Sequence, residues 1–209
     1  IEKPLYHKRY RGFLLAISIC MFEVIDNFLP QKFQDEIEAV MTLNNFPWFY
    51  QPNITSGKPK IQDERFKYSH GFTHQFYHQE HGPQSNYFGL VQNFIEFVNV
   101  DYNTQGYYRL KANLTVPVNG WTKDNVQEPH IDMPIPHLVC LYYVNDSDGD
   151  TFFFDQMFDE KAEPDEFTVY KRVAPKKGTA VVFDGLRYHG SNNPIEKQSR
   201  MILNAGMII

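Results

Sequence analysis

Two cysteines are all that this 209-residue chain carries, Cys20 and Cys140, each inside an apolar stretch. Thiols so placed are expected to be buried and free, which removes a disulfide scaffold and points to a reducing, cytoplasmic compartment. Also missing is any apolar run near the ~18 residues that a membrane span requires. The nearest imitation is at the start, where Lys3, Lys8, Arg9 and Arg11 precede an apolar segment over 13–22 in the manner of a secretory signal. No small-residue cleavage site follows it, so an ordered strand is expected there. An excess of basic charge is absent too. Twenty Lys and Arg stand against 25 Asp and Glu, a net −5, which argues against a general nucleic-acid binder. Nine of the carboxylates crowd into 146–166 against Lys161 alone and leave the rest of the chain at +3, so the acidity is read as one solvated loop. Repeats and low-complexity tracts are lacking as well.

What the chain has in quantity is aromatic surface: 18 Phe, 13 Tyr and 2 Trp, 16% of all residues. Aromatic side chains favour pleated, half-buried surfaces, so a β-rich body is expected. A chain of this length can bury about 70% of its unfolded surface, enough for a core without staples. Residues 1–209 are read as a single domain, with strands, helices and a loop over 1–105 and a β-core over 106–209. Apolar spacing predicts helices over 31–43 and over 84–99, the second with Phe88, Val91, Phe94, Ile95 and Val98 in one stripe. Short strands are expected at 13–25, 106–118, 138–144, 151–155, 167–173, 179–183, 186–190 and 200–209, separated by turn signals such as Lys177-Gly178. Residues 51–83 show no period and read as a loop, a candidate substrate lid. Four histidines fall there, His70, His74, His78 and His81, but no recognisable ligand set completes a metal site.

The chemistry-bearing segment is Glu128-Pro129-His130-Ile131-Asp132. In an extended chain positions i and i+2 share a face, so the imidazole and the carboxylate converge. They supply two of the three ligands of a 2-His-1-carboxylate facial triad, a set that leaves coordination positions open on Fe(II). His189 follows 57 residues after Asp132, Arg200 eleven residues after that, and between the ligands runs Leu141-Tyr142-Tyr143-Val144-Asn145 with Gly149-Asp150-Thr151-Phe152.

In combination these motifs resemble the iron(II)- and 2-oxoglutarate-dependent oxygenases of the prolyl-4-hydroxylase-like branch, closely over 106–209 and more loosely at Val24 to Pro30. The resemblance implies a double-stranded β-helix: a mainly β, cupin-like jelly roll packed by N-terminal helices. It implies His130, Asp132 and His189 as iron ligands, and Arg200 as a charge-assisted fork on the distal carboxylate of 2-oxoglutarate. Tyr143 and Asn113 stand where further co-substrate contacts would be, and Tyr142 on the opposite face as core. It also implies O2 as oxidant, ascorbate as a reductant, and hydroxylation of a peptidyl or free proline or another amino-acid side chain, with succinate and CO2 released. Arg109 and His74 are candidate substrate contacts, Arg109 because it alternates with Lys111 and Asn113 on one face of a strand while Tyr108, Leu110 and Ala112 take the other. Lys111 itself is read as solvent-facing. The partner expected is thus a small molecule or a peptide, without membrane or general nucleic-acid binding.

The pattern has departures. Ile202 stands where some relatives place a serine for the co-substrate, so another hydroxyl is needed, and Gly206 stands where nucleobase-acting relatives carry a second arginine. The alternatives are therefore a nucleobase-acting oxygenase, a jelly-roll binding module without turnover, and a cupin-like metalloenzyme independent of 2-oxoglutarate.

Overall fold

The computed structural model describes residues 21–55 and 63–209. The early part of the strand expected from residue 13, the apparent signal segment and the Cys20 thiol lie outside the described residues. The elements run β1 (Phe22–Ile25), α1 (Gln31–Met41), β2 (Phe49–Gln51), β3 (Phe66–Lys67), β4 (Gly71–His78), β5 (Gly82–Pro83), α2 (Phe88–Tyr102), β6 (Gly106–Thr115), β7 (Val126–Gln127) and β8 (Leu138–Tyr143). β9 (Thr151–Met157), β10 (Val169–Val173), β11 (Ala180–Asp184), β12 (Arg187–Ser191) and β13 (Arg200–Ile208) complete the chain.

One large sheet has the order β1-β11-β8-β13-β6-β4-β2, with β5 beside β4; a three-stranded sheet, β10-β9-β12, and a short parallel pair, β3-β7, accompany it. All pairings in the two larger sheets are antiparallel. This is the mainly β jelly roll with flanking helices that the motifs imply. Strand alternation sorts its layers. From β8, Leu138, Cys140 and Tyr142 face the helices, while Val139, Leu141 and Tyr143 face the three-stranded sheet. From β13, Met201, Leu203, Ala205 and Met207 join the helix layer, and Ile202 joins the inner one. Both faces of these strands are covered, so their residues are buried almost without a break. The Cys140 thiol is free among them, and burial raises its pKa.

Helix α1 opens after Pro30 and lays Ile37 and Met41 on the large sheet; α2 adds Val91, Phe94, Ile95 and Val98, the stripe legible in the sequence apart from a half-buried Phe88. Each such side chain, fully buried, contributes about 1.5–3 kcal/mol. Asn103, at φ 48°, ends α2 in the left-handed conformation that asparagine tolerates. At the Lys177-Gly178 turn, Gly178 has φ 82° and the Gln34 amide occupies the space a Cβ would need, so this corner requires glycine.

Two expectations are corrected. The segment 51–83 is not all loop: Gly71–His78 forms an eight-residue strand paired along β6. Glycine, glutamine and histidine obscure its alternation, and its partner lies far away in sequence, so local pattern does not reveal it. Second, Tyr108 does not share the face of Leu110 and Ala112. The register of β6 against β13 shifts between Gly206 and Met207, and this irregularity turns Tyr108 inward, over Gly206 and against His137.

Candidate active site

His130 and His189 meet because their backbones form an isolated antiparallel bridge. His130 N–H donates to the His189 carbonyl at 2.9 Å and His189 N–H to the His130 carbonyl at 3.0 Å. A directly opposed pair projects both side chains to the same face, and the ring centroids lie 4.7 Å apart. Asp132 follows two residues on, and one ligand atom from each of His130, Asp132 and His189 lies within 4.8 Å of the others.

The protonation states suit a cation. Nδ1 of His130 is 3.1 Å from the Glu128 carbonyl, and Nδ1 of His189 is 3.1 Å from the Arg187 carbonyl. A carbonyl only accepts, so each Nδ1 carries the proton and each Nε2 keeps a lone pair. Burial holds both imidazoles neutral: it lowers His130, and it pushes His189, beside His130, down to about 4. Burial alone would raise Asp132, but Arg109 foremost, with Lys111, holds it well below the usual carboxylate range. Two neutral nitrogen donors and one anionic oxygen are the donor set that suits Fe(II).

The triad opens on a cavity lined also by Ile54, Lys111, Asn113, Thr151, Arg200 and Asn204. Arg200 is 2% exposed, has no ion pair among the described residues, and leaves Nε buried without a partner. Its Nη2 donates to Thr151 Oγ1 at 2.7 Å, and Tyr143 Oη donates to the same oxygen at 2.8 Å. With two donors on its oxygen, the Thr151 hydroxyl proton is left to point elsewhere. Burial, against the opposing pull of Arg200, raises Tyr143 to about 12 and keeps it a neutral donor. Nearby, Asn113 Oδ1, Thr115 Oγ1 and Asn204 Oδ1 are likewise buried and unpartnered. A buried guanidinium with no ion pair among the described residues, a hydroxyl and several unsatisfied polar atoms fit an anionic, oxygen-rich ligand such as 2-oxoglutarate.

The residues singled out in the sequence do not all reach this cavity. His130, Asp132, His189, Arg200 and Asn113 line it; Tyr143 stands behind Thr151. Arg109, read as a substrate contact, is engaged instead with Asp132, its Nη2 2.8 Å from Oδ1. His74 is on the other side of the sheet. It pairs with Ala112, which faces the helices, and its ring nitrogens meet the Pro47 carbonyl at 2.9 Å and Ser85 Oγ at 2.7 Å among Phe46, Phe76 and Tyr87. It lines a separate cavity there with Phe49 and Gln84, away from the triad. On the β4–β5 hairpin, His78 and His81 converge with Glu80, a carboxylate absent from the set of four histidines.

Sequence reasoning missed two residues. Thr151 begins β9 with the same parity as the inward Phe153, which was available as a signal. Lys111 shares its face with Asn113 and lines the cavity rather than facing solvent. Burial, with Arg109 alongside, lowers its amine to about 8 against the pull of Asp132.

No protein-family model matches the sequence, and no curated protein matches it. Solved structures do match in fold. The non-heme α-ketoglutarate-dependent epimerase SnoN from nogalamycin biosynthesis superposes with a TM-score of 0.59 at 11% identity, over 90% of this chain and 76% of that one. A 2OG-Fe(II) oxygenase family oxidoreductase from Burkholderia pseudomallei gives 0.58 at 13%, over 90% and 84%. A prolyl-4-hydroxylase from Pseudomonas putida gives 0.54 at 13%, over 90% and 92%. The fold is thus the one found in 2-oxoglutarate- and Fe(II)-dependent oxygenases, prolyl hydroxylases included.

Proposed function

We propose that this protein is an Fe(II)- and 2-oxoglutarate-dependent oxygenase that hydroxylates a C–H bond of an amino-acid or peptide substrate. The observation that carries the reading is the shared cavity: His130, Asp132 and His189 converge in it, and Arg200, a buried cation with no ion pair among the described residues, stands in the wall. A binding module without turnover has no need of both.

His130 and His189 would offer Nε2 and Asp132 a carboxylate oxygen to the metal, each pre-oriented by the partner already described. Arg200 and Thr151 would hold the distal carboxylate of 2-oxoglutarate, with Tyr143 fixing the Thr151 hydroxyl. Thr151 thereby takes the place left open by Ile202. When bound, Fe(II) with 2-oxoglutarate and O2 supplies the oxidising chemistry, converting C–H to C–OH as succinate and CO2 form. The chain supplies position and dryness: Phe153 and Phe183 flank His189, with ring centroids 6.3 and 4.9 Å away, and keep water from its outer side. No side chain is required as a general base.

Among proteins of this fold, one is described as a prolyl hydroxylase in complex with a peptide fragment of hypoxia inducible factor and another as an epimerase, so the fold leaves the substrate open. The nucleobase-acting alternative is disfavoured by Gly206. A Cβ there would run into the Tyr108 ring, which leaves no room for the second arginine.

Calorimetric titration of the protein with Fe(II) under anaerobic conditions, and then with 2-oxoglutarate, tests the assignment. One metal per chain, and 2-oxoglutarate uptake that is lost in Arg200→Met, are expected. Metal binding that survives in a His130→Ala, Asp132→Ala double variant would remove the triad.

A further inference from the structure

Lys111 is the cation that the proposed co-substrate and metal leave unused. It extends from β6 into the cavity wall, between the cross-strand neighbours Gln75 on β4 and Asn204 on β13, neither of which is charged. Among the described residues Lys111 has no ion pair and no hydrogen bond. Arg109, the next inward cation on the strand, is matched by Asp132.

With both histidines neutral, Asp132 is one carboxylate against Arg109, Lys111 and Arg200, and Asp150, which also acts on Arg200, is paired with Arg172, so two positive charges are in excess. A divalent metal and dianionic 2-oxoglutarate cancel one another, so loading the site would leave that excess in place. An enclosed excess of this kind favours an anion over a neutral group.

Position argues that this anion is not the co-substrate. Arg200 pairs across the ladder with Thr115, whereas Lys111 pairs with Asn204, the residue that donates to Asp132. Four residues of strand separate the two levels, about 13 Å along the sheet. A five-carbon diacid anchored at Arg200 would spend its other carboxylate on the metal, which leaves Lys111, level with Asn204 beside the triad, to a second anion.

We propose that Lys111 anchors a carboxylate of the primary substrate, so that the compound oxidised is an amino acid presenting either a free α-carboxylate or an Asp or Glu side chain. This rests on the oxygenase reading above and narrows it: a neutral, internal peptidyl proline lacks the group that Lys111 would hold.

The test uses the full chain loaded with Mn(II), which supports binding without turnover, and 2-oxoglutarate. Calorimetry then compares free L-amino acids, proline among them, with their primary amides, and capped Asp and Glu peptides with capped Asn and Gln peptides. The two arms separate free from peptidyl carboxylates. At least one carboxylate should bind wild type ten times more tightly than its amide, with the preference lost in Lys111→Met and largely kept in Lys111→Arg. Thermal unfolding of the same samples shows that the variants are folded. A wild type without carboxylate preference, a preference that survives in Lys111→Met, or a loss confined to 2-oxoglutarate each overturns the proposal. Failure of the oxygenase reading shows earlier, as wild type that takes up neither Mn(II) nor 2-oxoglutarate, and brings this proposal down with it.

Discussion

Arg109 Nη2 lies 2.8 Å from Asp132 Oδ1, while Asn204 Nδ2 donates to Asp132 Oδ2 at 3.2 Å, so both oxygens of the carboxylate are held. A carboxylate gripped at both oxygens cannot swing away from the two imidazoles, and partners that orient a ligand in this way are worth about 10–100-fold in metal affinity. Arg109→Met is therefore expected to weaken Mn(II) binding about tenfold or more, with Arg109→Lys intermediate. Unchanged or tighter binding, measured by calorimetry, would mean that the ion pair competes with the metal instead of supporting its ligand.

Thr151 is expected to matter to 2-oxoglutarate beyond its size. Thr151→Val removes the hydroxyl that both Arg200 and Tyr143 address, and a hydrogen bond to a charged group is worth about 1.5–3 kcal/mol, roughly 10–150-fold in affinity. Tyr143→Phe, one step removed, should have a smaller effect. Equal effects would show that Tyr143 itself reaches the co-substrate.

The site also shows where the sequence is legible and where it is not. His130-x-Asp132, His189 and Arg200 stand out because strand alternation and spacing are local properties, and β8 and β13 could be sorted into faces in the same way. Arg109 and Lys111 share one face, yet only the folded chain shows that one meets Asp132 and the other does not. Tyr108 changes sides through a register shift against β13 that no local pattern announces. The strand Gly71–His78 was hidden for a related reason: its partner is β6, and its buried positions carry glycine and histidine as well as phenylalanine.

Gly206 is expected to resist substitution. A Cβ on it would overlap the buried Tyr108 ring, so Gly206→Ala should cost about 1–3 kcal/mol through overpacking. Denaturant unfolding reads this directly. A neutral outcome would mean that Tyr108 is free to move, and would reopen the nucleobase-acting alternative.

Part of the acidic segment has a structural task. Asp148 accepts the backbone N–H groups of Ile195, Glu196 and Lys197 at 3.1, 2.8 and 3.2 Å and so fixes the loop that leads into Arg200. Burial would raise its pKa, but the three donors hold it below the ordinary carboxylate value. A folded pKa below the unfolded one gives stability that is present above about pH 4 and is lost as pH falls through the folded value. Asp148→Asn should therefore cost about 1–3 kcal/mol at pH 7, with the gap to wild type closing below pH 4. A gap independent of pH would point to lost packing instead.

The central claim is that one cavity combines an iron triad with a 2-oxoglutarate anchor, and turnover tests it most directly. Purified protein supplied with Fe(II), 2-oxoglutarate and O2 should form succinate, more rapidly with an amino-acid substrate present, and His130→Ala and Arg200→Met should each suppress it at equal 2-oxoglutarate. Wild type that forms no succinate with any amino-acid or peptide substrate, or variants that form as much as wild type, would contradict the account.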